Sequence, residues 1–202
     1  MKSLTPLMKS TLNTTDVKRL WHDYQEGDSF ALAHLMQFYY QELYQWGKQL
    51  CQDRDLVKDC IQELFIGLWQ ARQRIAEVEN VKAYLFKALR TRIVREVSKK
   101  HHQFLSISSG YDCDVAFSAD TTLVEDERDL YQVRQLEHKL NQLPKRQKEL
   151  IYLRFYQNMS YDEITDIMQI GRQPLYNLLQ KALNSLRKNW IVYQLLMLFY
   201  TL

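Results

Sequence analysis

The sequence has few residues that interrupt helices, with 5 glycines and 3 prolines among 202 residues. Runs that alternate apolar and polar residues are also scarce, and such runs are typical of half-buried strands. These two absences exclude a sheet-rich fold and favour long helices. We therefore predict an all-α chain of two helical domains, the second of which carries a helix-turn-helix.

Cysteine is equally scarce, and the 3 cysteines, Cys51, Cys60 and Cys113, include no CxxC pair. This pattern argues against a disulfide framework or a zinc module, and we expect Cys60 in the core. A metal site made of His101, His102 and Cys113 would be unusual, because ligand sets rarely combine two adjacent histidines with a distant cysteine thiol. No Gly-rich phosphate loop or nucleophile motif is present, so we predict no cofactor, no metal and no enzymatic activity.

Long apolar runs are missing as well. Residues 1–15 contain lysines but no apolar stretch of signal-sequence length, which indicates a cytoplasmic protein. Residues 190–202 are nearly all apolar but too short to span a bilayer, so we predict no stable membrane span. We expect this tail to pack against the protein or against a partner. The net charge of +3 is mild but unevenly distributed.

Residues 160–187 carry the pattern of two short helices separated by a turn. Ser160 and Glu163 form a capping box, which predicts a helix that begins directly after Ser160. The apolar pattern is interrupted before Gly171, where glycine most easily makes a tight turn. Pro174 suits the first turn of a following helix, because its missing amide would have no partner there. The stretch predicts a helix-turn-helix, whose second helix enters the major groove of DNA.

The second helix has a polar face opposite its leucines. Asn and Gln side chains pair with adenine edges and Arg with guanine, while Lys and Tyr reach phosphates. Any solvated amphipathic helix has such a face, so DNA binding and simple solvation both remain open from this pattern. The candidate DNA-binding residues are Arg172, Gln173, Tyr176, Asn177, Gln180 and Lys181.

An acidic helix is predicted over residues 55–72, with an apolar stripe on one side. Its polar face is either merely solvated or a docking surface for a basic partner protein. The polar residues of this face are Asp55, Asp59, Gln62 and Glu63.

A polar connector at residues 72–80 leads into a basic helix at residues 81–105, which has seven basic residues and the single acid Glu96. Such a helix suits a phosphate backbone, including that of an unpaired strand. Tyr84 and Phe86 could stack on bases, although core packing is the favoured interpretation. The basic residues are Lys82, Lys87, Arg90, Arg92, Arg95, Lys99 and Lys100.

An acidic segment follows, with seven acids and one base between residues 106 and 129. Residues 106–122 are predicted to be a flexible linker, because they cannot bury enough apolar surface to offset the entropy of ordering. The predicted domains are then residues 16–105 and 123–189, with the apolar tail at 190–202.

Two separated motifs resemble the extracytoplasmic-function (ECF) group of the sigma-70 family, the promoter-recognition subunits of bacterial RNA polymerase. Residues 59–65, DCIQELF, followed by Leu68 and Trp69, are similar to the polymerase-docking helix of the family's second conserved region. The segments 143–150, 161–164 and 175–187 resemble its fourth region.

The resemblance implies a role for each feature. Asp55, Asp59, Gln62 and Glu63 would hold the clamp helices of core RNA polymerase. Residues 72–100 would bind and help to melt the minus-10 promoter element, and the recognition helix would read the minus-35 element. The implied minus-10 residues are Lys82, Lys87, Arg90, Arg92 and Arg95.

The chain also departs from the family's pattern. The basic helix has Thr91, Arg95 and Ser98 where the family usually has Asn, Asp and Arg. These differences affect the contacts that the basic helix would make with the minus-10 element. Pro174 replaces a small polar residue, and the tail after Trp190 extends past the family's usual end. The resemblance implies an anti-sigma factor as a further partner, and the tail is one candidate surface for it.

Two other functions would explain parts of the chain. A helix-turn-helix regulator that acts without core polymerase would share the carboxyl-terminal half, but no strand-helix pattern is available for a sensory domain. A helical adaptor would explain the acidic helix but not the basic one. Binding to core polymerase would distinguish a sigma factor from the helix-turn-helix regulator. Promoter-specific binding would distinguish it from the helical adaptor.

Overall fold

A computed structural model describes residues 14–104, 117 and 127–187. These residues form helices and connecting loops without a strand, which confirms the predicted all-α fold. A π-helical turn, Tyr152–Tyr156, directly continues α6. The α-helices are α1 Thr14–Gln25, α2 Ser29–Leu50, α3 Arg54–Ala71, α4 Val81–Phe104, α5 Glu127–Asn141, α6 Lys145–Ile151, α7 Tyr161–Met168 and α8 Arg172–Arg187.

The amino-terminal half packs α1, α3 and α4 around the long helix α2. Gly27 takes a φ of +103°, which L side chains rarely adopt, so the chain can turn sharply after α1. Asp28 then caps α2 by accepting a hydrogen bond from the Phe30 amide at 2.8 Å. The predicted core residues Cys60 and Phe86 are buried here, and burial raises the pKa of the Cys60 thiol to about 11.

The carboxyl-terminal half carries the predicted helix-turn-helix in α7 and α8. The capping box is present: the Glu163 amide donates to the Ser160 hydroxyl, and the Ser160 amide donates to the Glu163 carboxylate. The left-handed residue that ends α7 is Gln169, with a φ of 53°, rather than the expected Gly171. For a residue with a Cβ this conformation costs about 1–2 kcal/mol, because the Cβ comes close to the following carbonyl oxygen.

The π-helical turn is a feature that the spacing of apolar residues does not distinguish from a regular α-helix. Its wider i→i+5 hydrogen bonding places Tyr152 and Tyr156 on one side, with ring centroids 5.5 Å apart and planes 11° from parallel. Tyr152 lies against Trp46 of the amino-terminal half, and Tyr156 packs on Phe117. The turn therefore helps to build the contact between the two halves.

The two halves are packed against each other. Trp46 of α2 lies between Phe86 of α4 and Tyr152, stacked on both rings. Phe117 belongs to the predicted linker and is the residue of that segment that the structure describes. It is buried against Tyr152 and Tyr156.

Several predictions fall on other parts of the chain. Cys113, the remaining linker residues and the tail at 190–202 lie outside the described residues. In the described part of the chain, no helix combines the length and the apolar character needed to cross a membrane.

Candidate nucleic-acid and protein interfaces

The polar face of α8 is open to solvent. Its apolar face is anchored by Leu175, Ala182 and Leu186, which are all buried. Burial of that side fixes the helix rotation, so the opposite side must point outward. The structure leaves all six candidate residues exposed: Arg172, Gln173, Tyr176, Asn177, Gln180 and Lys181.

Contacts among these residues order the first turns of α8. Gln173 Nε2 donates to Asn177 Oδ1 at 3.2 Å, so the two amides are neighbours on one face. Arg172 forms an ion pair with Asp162 of α7 at 2.8 Å, with both side chains mostly exposed. This part of the helix thus presents two amides and a guanidinium side by side, the donor and acceptor groups that base edges require.

An aromatic contact joins α7 and α8. The Tyr161 and Tyr176 rings lie 5.6 Å apart at 59°, in a tilted arrangement. The Arg154 guanidinium lies 5.0 Å from the Tyr161 centroid and also donates to the Met159 carbonyl at 2.9 Å. Tyr176 is 48 % exposed despite its contact, so one edge of the ring is available to a ligand.

The acidic face of α3 is exposed as predicted from the sequence. Asp53 caps the helix by accepting from the Leu56 amide at 3.0 Å. Asp55 accepts a hydrogen bond from Lys58 at 2.9 Å, and this bond raises the pKa of the Lys58 ammonium. The candidate polymerase-binding residues Asp55, Asp59, Gln62 and Glu63 are all exposed.

Sequence reasoning missed Ile66 on the same face. Asp59, Gln62, Glu63 and Ile66 follow the i, i+3, i+4, i+7 spacing of one helical stripe. Ile66 is 51 % exposed, which places an apolar side chain among the acidic ones. The signal in the sequence was that Ile66 is apolar and directly follows Phe65 of the apolar stripe of α3, without belonging to that stripe.

The basic residues of α4 mostly lie beside carboxylates. Lys82 pairs with Glu42 at 2.9 Å, and Arg92 pairs with Glu63 at 3.1 Å, both within the amino-terminal half. The Arg92 pair links the predicted minus-10 helix to the predicted polymerase-binding face. Arg95 is exposed.

The other two candidate minus-10 residues face the carboxyl-terminal half. Lys87 pairs with Asp166 of α7 at 3.4 Å. Arg90 pairs with Glu149 of α6, and each side chain in this pair is only 5 % exposed. The structure therefore places Arg90, a candidate minus-10 residue, inside the contact between the two halves.

Thr91 and Ser98, which depart from the family's pattern, are both exposed on α4. The Thr91 hydroxyl donates to the Lys87 carbonyl at 2.9 Å, four residues back in the same helix. A hydroxyl bonded to its own helix carbonyl keeps its acceptor lone pairs for a ligand.

The connector before α4 is anchored at both ends. Gln25 of α1 donates to the Ile75 carbonyl at 2.8 Å, and Arg72 stacks over Trp69 with 4.4 Å to the ring centroid. Asn80 accepts from the Ala83 amide as a cap and donates through its amide group to Glu163 of α7. The connector therefore also contacts the helix-turn-helix.

Comparisons with known families decide the assignment. The family model Sigma-70 region 2 matches residues 35–103, and the model Sigma-70, region 4 matches residues 140–188. Together the two models cover more than half of the chain. The protein belongs to the sigma-70 family. The region 2 match contains α3 and all but the last residue of α4, and the region 4 match contains the helix-turn-helix.

Two solved structures share the fold of this sigma-70 family protein. The structure of CnrH in complex with the cytosolic domain of CnrY has a TM-score of 0.54 and 15 % identity, covering 83 % of this chain and 92 % of that chain. The sigma factor RpoE in complex with the anti-sigma factor NepR from Bartonella quintana has a TM-score of 0.55 and 20 % identity, covering 77 % and 94 %. A search of curated protein sequences found no match.

Proposed function

We propose that the protein is a sigma factor of the ECF group, which binds core RNA polymerase and directs it to specific promoters. One observation carries this proposal. A single chain combines a sigma-70 region 2 with an exposed acidic α3 and a sigma-70 region 4 with an exposed polar recognition helix. Both surfaces are exposed, so both are available to partners.

In this proposal α3 is the polymerase-binding surface. Asp59, Gln62 and Glu63 offer negative and polar groups to a basic helical partner, while Ile66 adds an exposed apolar side chain at one end of the same stripe. Charged groups direct association and a buried apolar contact slows dissociation, which together suit a specific interface. The protein has no catalytic role, and the polymerase supplies the chemistry.

The recognition helix is the proposed minus-35 reader. Its first two turns place Arg172, Gln173 and Asn177 where the amino-terminal end of a recognition helix meets base edges. The basic residues of α4 and the connector are the proposed minus-10 surface. Such a protein works in the cytoplasm, with the genome.

An anti-sigma factor is a proposed further partner. Both fold neighbours are in complexes, one with the cytosolic domain of CnrY and the other with the anti-sigma factor NepR. Because this protein and its two fold neighbours arrange their helices similarly, an inhibitor protein would find similar grooves between the helices. This similarity supports the proposal.

The test is transcription in vitro with purified core polymerase and a library of promoter sequences. We expect initiation at a defined promoter set only when the protein is present. Asp59→Ala should weaken binding to core polymerase, whereas Glu26→Ala, at another exposed acid of the amino-terminal half, should not. Asn177→Ala should alter promoter choice, whereas Asn184→Ala, two turns farther along α8, should not.

A contrary result would favour the alternative function. If the protein binds duplex DNA but neither binds core polymerase nor changes its start sites, it acts as a helix-turn-helix regulator without the polymerase. Pull-down of core polymerase and the transcription assay measure the two properties separately.

A further inference from the structure

The linker residue Phe117 is fixed to the carboxyl-terminal half by its backbone. The Phe117 amide donates to Asn141 Oδ1 at 2.7 Å, and Asn141 Nδ2 donates to the Phe117 carbonyl at 3.0 Å. The acceptor and the donor of one side-chain amide therefore satisfy both backbone groups of a single residue. This pair of hydrogen bonds fixes the position and the direction of the chain at Phe117.

The Phe117 ring adds an apolar contact to the same half. Its centroid lies 6.4 Å from that of Tyr152 and 5.2 Å from that of Tyr156, and both tyrosines belong to the π-helical turn. Only 4 % of Phe117 is exposed. Asn141 ends α5, whereas the π-helical turn follows α6, so two separate parts of the carboxyl-terminal half hold this residue. We call the two hydrogen bonds and the ring contact the Phe117 anchor.

The Phe117 anchor shortens the connection between the two halves. A chain spans at most about 3.3–3.6 Å per residue, whatever its conformation. α4 ends at Phe104 and α5 begins at Glu127, so the 23 residue steps between them reach about 80 Å. With Phe117 anchored, only the 13 steps from Phe104 to Phe117 join the halves, and these steps reach about 45 Å.

The reach of this connection limits how far apart the two halves can bind on one DNA molecule. The basic helix α4 belongs to one half and the recognition helix α8 to the other. Two linked modules cannot bind together when the chain that joins them is too short to span their sites. Each base pair adds about 3.4 Å along the duplex, so a difference in reach of about 35 Å corresponds to roughly ten base pairs.

We propose that the Phe117 anchor sets the upper limit on the spacing between the two promoter elements that the protein reads together. This inference rests on the proposed function and names residues that determine one part of its promoter specificity. The length of residues 105–116 sets the limit, whereas the length of residues 118–126, on the other side of the anchor, does not. Asn141 is a positioning residue, because it acts on DNA only through the linker.

Two insertions of identical composition test the two sides of the anchor separately. One variant of the full-length protein carries six additional residues, Gly-Ser-Gly-Ser-Gly-Ser, after Gly110. The matched control carries the same six residues after Thr122. The insertion after Gly110 lengthens the connection by up to about 20 Å, and the insertion after Thr122 leaves it unchanged while Phe117 stays anchored.

Transcription in vitro with core polymerase measures the effect on promoters whose spacing increases in steps of one base pair. The decisive spacing is about three base pairs above the longest that the unaltered protein uses efficiently. At this spacing we expect the insertion after Gly110 to raise initiation at least about fivefold, and the insertion after Thr122 to change it less than about twofold.

Removal of the anchor should have the same effect as the longer connection. We expect Asn141→Ala to raise initiation at the decisive spacing at least about fivefold. Gln142→Ala is the matched control, because it removes an exposed amide from the adjacent residue, and it should leave the spacing limit unchanged. Chymotrypsin cleaves after phenylalanine, and cleavage needs a locally released backbone, so cleavage after Phe117 should be at least about fivefold faster in Asn141→Ala than in Gln142→Ala.

Equal effects of the two insertions would overturn the inference, because the position of the anchor would then not matter. Equal rates of cleavage after Phe117 in the two amide variants would also overturn it. Core polymerase binding is measured in parallel for every variant. Absence of both polymerase binding and initiation at every spacing would refute the proposed function, and the inference would fall with it, whereas the first two outcomes leave the proposed function intact.

Discussion

Trp46 and Tyr152 stack across the two halves of the protein, with centroids 5.3 Å apart and planes 10° from parallel. Both rings are buried, and Tyr152 also accepts a hydrogen bond from Gln157 at 3.0 Å. The stack therefore combines aromatic contact area with a satisfied hydroxyl group, and it joins residues that are far apart in the sequence.

We expect Tyr152→Ala to lower the free energy of unfolding by about 3–5 kcal/mol, as for other large aromatic truncations in a core. Tyr152→Phe keeps the ring and removes only one hydrogen bond, so a loss of about 1 kcal/mol is expected. Urea unfolding measures both. Tyr131→Ala, at a ring that is 66 % exposed, should change stability by less than about 0.5 kcal/mol. Equal losses of stability in Tyr152→Ala and Tyr131→Ala would contradict the burial of Tyr152 against Trp46.

Two glycines in helix interiors should respond to alanine in opposite ways. At Gly47 an added Cβ would overlap the Val57 side chain in the core, and we expect a net loss of about 1–3 kcal/mol. At Gly67 the added Cβ would meet only the end of the Arg92 side chain, which can move aside. Gly67→Ala should therefore gain up to about 1 kcal/mol from helix propensity. Thermal unfolding of the two variants decides the sign, and a stabilised Gly47→Ala would be the contrary result.

Stability should fall above pH 10 because of buried tyrosines. Burial raises the pKa of Tyr24, Tyr39 and Tyr152 to about 12, so each hydroxyl stays protonated in the folded chain while it ionises in the unfolded one. The stabilisation is complete below the ordinary tyrosine pKa and is lost as the pH rises toward 12, on the order of 2 kcal/mol per tyrosine.

Urea unfolding at pH 9.5, 10.5 and 11.5 measures this loss. Tyr39→Phe removes one ionising group and should make the pH dependence shallower, whereas Tyr131→Phe, at an exposed ring, should leave it unchanged. A pH dependence that is identical in all three proteins would show that burial of Tyr39 does not govern its ionisation.

Salt dependence should separate base contacts from phosphate contacts on α8. Lys181→Ala should weaken binding to duplex DNA similarly for all sequences and reduce the salt slope by about 1, since the proposed phosphate contact of Lys181 is lost. Asn177→Ala should leave the slope unchanged and cost about 1–3 kcal/mol on the preferred sequence only. Titrations at several salt concentrations distinguish the two, and the same slope in both variants would contradict the division of roles.

Local features of the fold could be predicted from the sequence. The capping box of Ser160 and Glu163 lies within four residues, and the apolar stripe of α3 repeats at helical spacing, so each is encoded by neighbours. The all-α fold and the helix-turn-helix follow from such signals. The residue in the left-handed conformation is Gln169 rather than Gly171. The sequence did not distinguish the two, because a helix could end at either residue.

The contact between the two halves could not be predicted in this way. Arg90 and Glu149 are 59 residues apart, and each resembles an ordinary surface charge in its own helix. Phe117 is one aromatic residue in an acidic segment, and nothing nearby in the sequence indicates Asn141 as its partner. Pairings of this kind depend on how whole helices approach, which residue spacing does not encode.

The π-helical turn at Tyr152–Tyr156 has a consequence for changes in chain length. A π turn accommodates one residue more than an α-helical turn, so removal of a single residue would leave a regular α-helix. Because the wider turn absorbs the additional residue, the deletion would leave the chain after it facing nearly the same direction. The helix-turn-helix would then keep its direction relative to α6. A one-residue deletion within a regular stretch such as α5 would instead rotate everything after it by about 100°.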